Sequence, residues 1–152
     1  LGKNHLLRLN KSMTAKSFNF PILRVTLSGS FHRDSEGLER QYRELARNQC
    51  QILSPRRLDF MDSSALFVKH VAEREESVDS IERHHLQAIG QSDFLWLHAP
   101  AGYVGLRAAM EIGYAHGQQI PRLSSADIQD VMIKQFVTKV PSVFAAIERL
   151  SS

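Results

Sequence analysis

Residues 93–115 read DFLWLHAPAGYVGLRAAMEIGYA. The run Phe94-Leu95-Trp96-Leu97 is apolar throughout and has the length of a buried strand. A loop carrying Gly102 and Gly105 follows, then a helical stretch with a single acidic residue, Glu111. Strand, glycine loop and helix in that order form half of a βαβ unit. In open α/β sheets ligands bind beyond the carboxyl ends of the strands, where this loop lies. The flanks of Glu111, Ala108-Ala109-Met110 and Ile112-Gly113-Tyr114-Ala115, cannot solvate a carboxylate. Such a group is either hydrogen-bonded for structure or held for reaction. Its small neighbours leave room for a ligand, and Gly113 is expected to let the helix approach the sheet closely.

The same alternation extends to both sides. Residues 22–27 (ILRVTL) predict a first strand, and Ser28-Gly29-Ser30-Phe31-His32-Arg33 a loop, with Asp34 or Ser35 as helix N-cap. Leu38, Tyr42, Leu45 and Ala46 then follow at helical spacing, and residues 50–53 predict a short strand stopped by Ser54-Pro55. Residues 56–72 are too apolar for a linker and predict an ordered loop acting as a lid. Residues 73–90 predict a helix with Val78, Ile81, His85 and Ile89 on one face. A fourth strand is expected at 120–123 and a short helix at 126–133. Pro141 opens a last helix striped by Val143, Phe144, Ile147 and Leu150. This pattern predicts a flavodoxin-like or Rossmann-like doubly wound parallel sheet of about four to five strands, with helices on both faces. Residues 21–152 read as a single α/β domain, and residues 1–20 as a mobile basic tail or a leader ahead of Met13.

Composition narrows the classes. A chain that is 43% hydrophobic and 23% charged is globular in type. No apolar run reaches the roughly 20 residues of a membrane span, and the polar, basic residues 1–12 hold no secretory core. A membrane partner is not expected. The single cysteine, Cys50, permits no internal disulfide, so a reducing cytoplasm is the expected location. Net charge is +3, but Lys3, Arg8, Lys11 and Lys16 cluster only in the short tail, which makes nucleic acid a poor partner.

Several chemistries lack their residues. Ser28-Gly29-Ser30 has neither the Gly-Lys-Ser/Thr of a P-loop nor the three glycines of a dinucleotide fingerprint. It is either a plain turn or a monophosphate loop, offering backbone N–H groups and the Ser30 hydroxyl with charge from His32 or Arg33. Glu82-x-x-His85 occurs once, whereas carboxylate-bridged metal pairs need two copies, so no metal is expected. There is no Gly-x-Ser-x-Gly, and Cys50 falls in a predicted strand where a thiol is inert. Trp96 lies inside a strand and cannot stack on a flavin, so no cofactor is expected.

The pentapeptide Glu111-Ile112-Gly113-Tyr114-Ala115, behind an apolar strand opened by Asp93, resembles the nucleoside 2-deoxyribosyltransferases and the related deoxynucleoside 5′-monophosphate N-glycosidases. Leu27-Ser28-Gly29-Ser30 is similar to that family's first loop, and the likeness covers roughly residues 23–125. It implies a flavodoxin-like fold, a homodimer or larger assembly, and a nucleoside or nucleotide substrate. Glu111 would be the nucleophile at the sugar C1′. Gly29 and Ser30, with His32 and Arg33, would line the sugar or 5′-phosphate side, and Gly102, Tyr103 and Gly105 the sugar hydroxyls. His85 falls where the family carries an aspartate, as a proton-transfer partner or as a satisfied, half-buried histidine. The family's Asp-x-Gly-Thr is replaced by Gly105-Leu106-Arg107-Ala108, and its aromatic residue before the first loop by Thr26. These departures favour a second class, a nucleotide-binding or sensing module that kept the pocket without turnover. A Glu111 open to Ser30 and His85 would favour catalysis, and one buried against Arg107 would favour binding or structure. Asp93 reads as structural, capping backbone at the far end of its strand.

Overall fold

The computed structural model describes residues 20–56 and 77–152. Five strands, β1 (Arg24–Gly29), β2 (Gln51–Ser54), β3 (Phe94–His98), β4 (Arg122–Ser124) and β5 (Thr138–Lys139), form one sheet in the order β2-β1-β3-β4-β5. All four pairings are parallel. This is the doubly wound, flavodoxin-like order, which opens a crevice beyond the carboxyl ends of β1 and β3.

Strand alternation assigns the faces. Val25 and Leu27 of β1 and Phe94 and Trp96 of β3 pack against α1 (Ser35–Arg47) and α4 (Val143–Leu150) through Leu38, Leu45, Val143 and Ile147. Leu95 and Leu97 face the other way, onto α2 (Val78–Gln91) and α3 (Leu106–Gly117) through Ile89, Ala108, Ile112 and Ala115. Each buried side chain of this size stabilises by roughly 1.5–3 kcal/mol, which fixes the register. Trp96 is 1% exposed, and its indole N–H donates to Gln41 Oε1 at 2.8 Å.

Three local devices position the elements. Asp34 is the N-cap of α1, accepting the Gly37 N–H at 3.0 Å, worth about 1 kcal/mol. Asp93 accepts the Arg24 backbone N–H at 2.7 Å and its guanidinium at 3.1 Å, tying the start of β3 to that of β1 as the sequence predicts. Burial works against that carboxylate, yet the Arg24 hydrogen bonds hold its pKa below the usual range. In the third device, the register between β1 and β2 slips: Val25 pairs with Ile52 but Thr26 with Ser54.

The structure corrects the sequence reading at several points. β1 starts and ends two residues later than the apolar run, because Ser28 and Gly29 pair with Leu97 and His98. The helix expected at 126–133 does not form. The Asp130 carboxylate accepts the Met132 and Ile133 N–H groups at 2.9 and 3.0 Å, a local alternative to helical bonding. Val131 and Met132 are exposed, while Ile128 is buried against the α3 side of the sheet. A 3-10 turn (Ile133–Phe136) and the unanticipated β5 follow instead. α2 is capped by Ser77 and begins at Val78. Residues 1–19 of the predicted tail, nearly all of the predicted lid and the predicted helical residues 73–76 lie outside the described residues, while Phe20, assigned to the tail, packs edge-on against Phe144. Among the described residues no helix is long and apolar enough to cross a membrane.

Candidate functional site

Polar residues at strand ends build the site. In β1, Thr26 and Ser28 alternate with the core residues and so point toward α2 and α3; both are fully buried. Cys50, just ahead of β2, and Ile52 within it pack toward the α1 and α4 face, and simple alternation would send Ser54 there as well. The register slip turns Ser54 to the Thr26 face, where its Oγ lies 2.6 Å from His85 Nδ1. His85 is 4% exposed on the inner stripe of α2, between Ile81 and Ala88.

Glu111 enters from α3, 3% exposed, between the buried Ala108 and Ile112. The Ser28 hydroxyl donates to its Oε2. His85 Nε2 lies 3.5 Å from the same oxygen, and Arg107 Nε lies 3.4 Å from Oε1. Arg107 is shared, because its Nε also donates to Glu82 Oε2 at 2.6 Å. Burial pushes the Glu111 pKa up, but His85 foremost, then Ser28 and Arg107, bring it below the usual carboxylate range. His85 is therefore neither half-buried nor satisfied: among the described residues its Nε2 has no hydrogen-bond partner, and its attraction to Glu111 requires a proton on the ring. The apolar sequence neighbours of Glu111 misled in one respect, since polar groups from β1, α2 and its own helix surround it. Gly113 also differs from expectation. A Cβ there would meet nothing within 4 Å, so this glycine does not serve close packing on the sheet.

The first loop and the β3–α3 loop form the other rim. Gly29 has φ +147°, and a Cβ on it would stand 2.3 Å from the His98 carbonyl oxygen, so its role is close approach of β1 to β3. The Ser30 hydroxyl accepts the Arg33 N–H at 3.1 Å, and Ser28 rather than Ser30 meets Glu111. His32 is exposed. Arg33 crosses to the other loop, its guanidinium 3.7 Å from the centre of the Tyr103 ring. Gly102 has φ +80° and packs on the Asp127 carbonyl, while Gly105 is the N-cap residue of α3. His98, at the end of β3, sets Nε2 3.0 Å from Asp34 Oδ2.

Sequence reasoning passed over Ser28, Ser54, Arg107 as a shared cation, and the Asp34–His98 pair. A serine on a strand position flanked by buried residues was the available signal for Ser28; nothing local announced the others. Among the described residues no group of three or more His, Cys, Asp or Glu is arranged to hold a metal ion. No family model matches this chain, and no curated protein matches it.

Proposed function

We propose that this chain is an N-glycosidase or 2-deoxyribosyltransferase acting on a nucleoside or its 5′-monophosphate, with Glu111 as nucleophile. One observation carries the reading: the Glu111 carboxylate stands beside His85 and Ser28 at the carboxyl edge of β1 and β3, the ligand-binding edge of this fold. His85 and Arg107 by charge, and Ser28 by its hydroxyl, favour the ionised form of that carboxylate, the form a nucleophile needs.

In the first step a Glu111 oxygen bonds to the sugar C1′ as the C1′–N bond breaks, and the bonding pair leaves with the base, which takes a proton from His85 Nε2. In the second, water or an acceptor base bonds to C1′ and gives its proton back to His85 Nε2, the C1′–O bond breaks, and the carboxylate is restored. His85 Nδ1 is engaged by Ser54, which leaves Nε2, on the Glu111 side, as the ring atom that exchanges a proton with the leaving base. Assistance of this kind contributes about 10²–10⁴-fold. Arg33 and Tyr103 would frame the opposite rim of the cleft. The exposed apolar row Leu106, Met110 and Tyr114 on α3 supports a homodimer.

The near-complete burial of Glu111 and its contact with Arg107 favour a second reading, a nucleotide-binding module without turnover. Base release from a panel of 2′-deoxynucleosides and their 5′-monophosphates, followed by chromatography, separates the two. Release by wild type that disappears in Glu111→Ala is the expected result. Binding of these compounds without release, with or without an acceptor base, would instead establish the module.

A further inference from the structure

Two pairs of polar side chains meet along the seam between α2 and α3. Glu82 and His85 stand three residues apart on α2, and Arg107 and Glu111 four apart on α3, so each pair shares one helix face. Their spacing makes Arg107 and Glu111 natural hydrogen-bonding partners, yet the bond is made elsewhere. Arg107 Nε donates to Glu82 Oε2 at 2.6 Å and stands 3.4 Å from Glu111 Oε1. One N–H cannot bond two carboxylates well, and the short contact goes to Glu82. Arg107 therefore acts on Glu111 through charge alone.

The two oxygens of Glu111 are consequently unlike. Oε2 accepts the Ser28 hydroxyl and faces His85 Nε2 at 3.5 Å. Among the described residues Oε1 accepts no hydrogen bond, and its ion-pair partner is Arg107. Glu82 is unusual in its own way. Its side chain is 19% exposed, yet its Oε1 is buried and has no hydrogen-bond partner among the described residues. A buried carboxylate oxygen left unpaired is costly. Arg107 is the neighbour suited to it, because a guanidinium fits a carboxylate with two parallel N–H bonds. The other charges of α2 do not compete: Asp79 pairs with Arg83 and His84 meets Arg56, both at the solvent-exposed surface.

We infer that Glu82 is a positioning residue, holding the Arg107 N–H away from Glu111 Oε1 and so leaving that oxygen unbonded for attack on the sugar. The inference rests on the N-glycosidase reading and adds to it a residue outside the reacting atoms. Before attack, Arg107 favours the ionised carboxylate from a distance without tying up the attacking oxygen. When Oε1 bonds to C1′, the carboxylate becomes an ester and gives up its charge. Arg107 then keeps an anionic partner in Glu82, whose second oxygen can take a further N–H. Cleavage of the ester restores the charge on Glu111 and the original sharing.

The test compares base release from a 2′-deoxynucleoside, and crystal structures, for wild type, Glu82→Gln, Arg107→Gln and the double variant. Glutamine keeps the shape of Glu82 and removes its charge. In Glu82→Gln the Arg107 N–H is expected to turn to Glu111 Oε1, closing from 3.4 Å to about 2.9 Å. The kcat should then fall by about 10–100-fold, the size of a hydrogen bond to a charged group that attack must break. Added to Arg107→Gln, the same Glu82→Gln change should cost less than about twofold, because no guanidinium remains to turn. A merely structural salt bridge is broken equally by either single substitution. Equal losses in the two single variants, an unchanged kcat, or an Arg107 that stays off Oε1 in Glu82→Gln would overturn the inference and leave Glu111 catalysis standing. An Arg107 that closes on Oε1, in a protein whose wild type releases no base, would support the hold and remove the glycosidase reading. Neither base release by wild type nor movement of Arg107 would overturn both.

Discussion

Ser28→Ala removes one donor from a carboxylate that burial already disfavours. Ser28 is fully buried, and its hydroxyl donates to Glu111 Oε2. A hydrogen bond to a charged group contributes about 1.5–3 kcal/mol, and about 1.4 kcal/mol corresponds to one pKa unit. The Glu111 pKa is thus expected to rise by about 1–2 units in the variant. In wild type the folded-state pKa is depressed. Ionisation of Glu111 therefore stabilises the fold above the unfolded value of about 4.3, and the contribution is lost as pH falls through the folded value. In the variant that loss moves to higher pH. Urea unfolding near neutral pH should show a deficit of about 1.5–3 kcal/mol that shrinks as the medium is acidified. The acid limb of kcat/KM for base release should move up by the same about 1–2 units. A deficit of equal size near neutrality and in acid below the folded pKa of Glu111 would refute the reasoning, because the bond would then not be specific to the carboxylate.

Three further outcomes follow from the geometry. His85→Leu takes away the foremost charge partner of Glu111, so the acid limb should rise and base release fall by about 10²–10⁴-fold; unchanged kcat would remove His85 from the mechanism. Gly29→Ala forces a side chain at φ +147° against the His98 carbonyl, which cannot yield. Backbone strain and overpacking together should cost about 2–6 kcal/mol in urea unfolding, and a loss under about 1 kcal/mol would contradict the close approach. Burial pushes the Cys50 thiol up to about 11, so iodoacetamide at mildly alkaline pH should label the folded protein far more slowly than the unfolded chain. Equal rates would show the thiol to be open.

The sheet was legible because its signals are local. Phe94 to Leu97 could only be a buried strand, and the alternation of such runs with helical spacing fixes a parallel, doubly wound order. Glu111 and His85 were legible as polar residues on apolar stripes. Their supporting cast was not, because it depends on register. Ser54 reaches His85 only through the slip between Val25 and Thr26, which no reading of β2 in isolation reveals. Arg107 read as an alternative partner for Glu111, whereas its closest contact is Glu82 on another helix. The helix expected at 126–133 failed for a local reason that was visible, the turn-forming carboxylate of Asp130, but its apolar neighbours outweighed it in the pattern.

The burial of Trp96 has a practical consequence for every measurement above. It is the only tryptophan, and it stands on the α1 side of the sheet while Glu111 and His85 stand on the α3 side. Its ring is shielded from water and its N–H is anchored to Gln41, so its emission is that of an apolar environment until the central strands part. Fluorescence of the unmodified chain therefore reports unfolding at the middle of the sheet, on the face turned away from Glu111 and His85. Stability and activity can be followed in one cuvette by signals that do not mix.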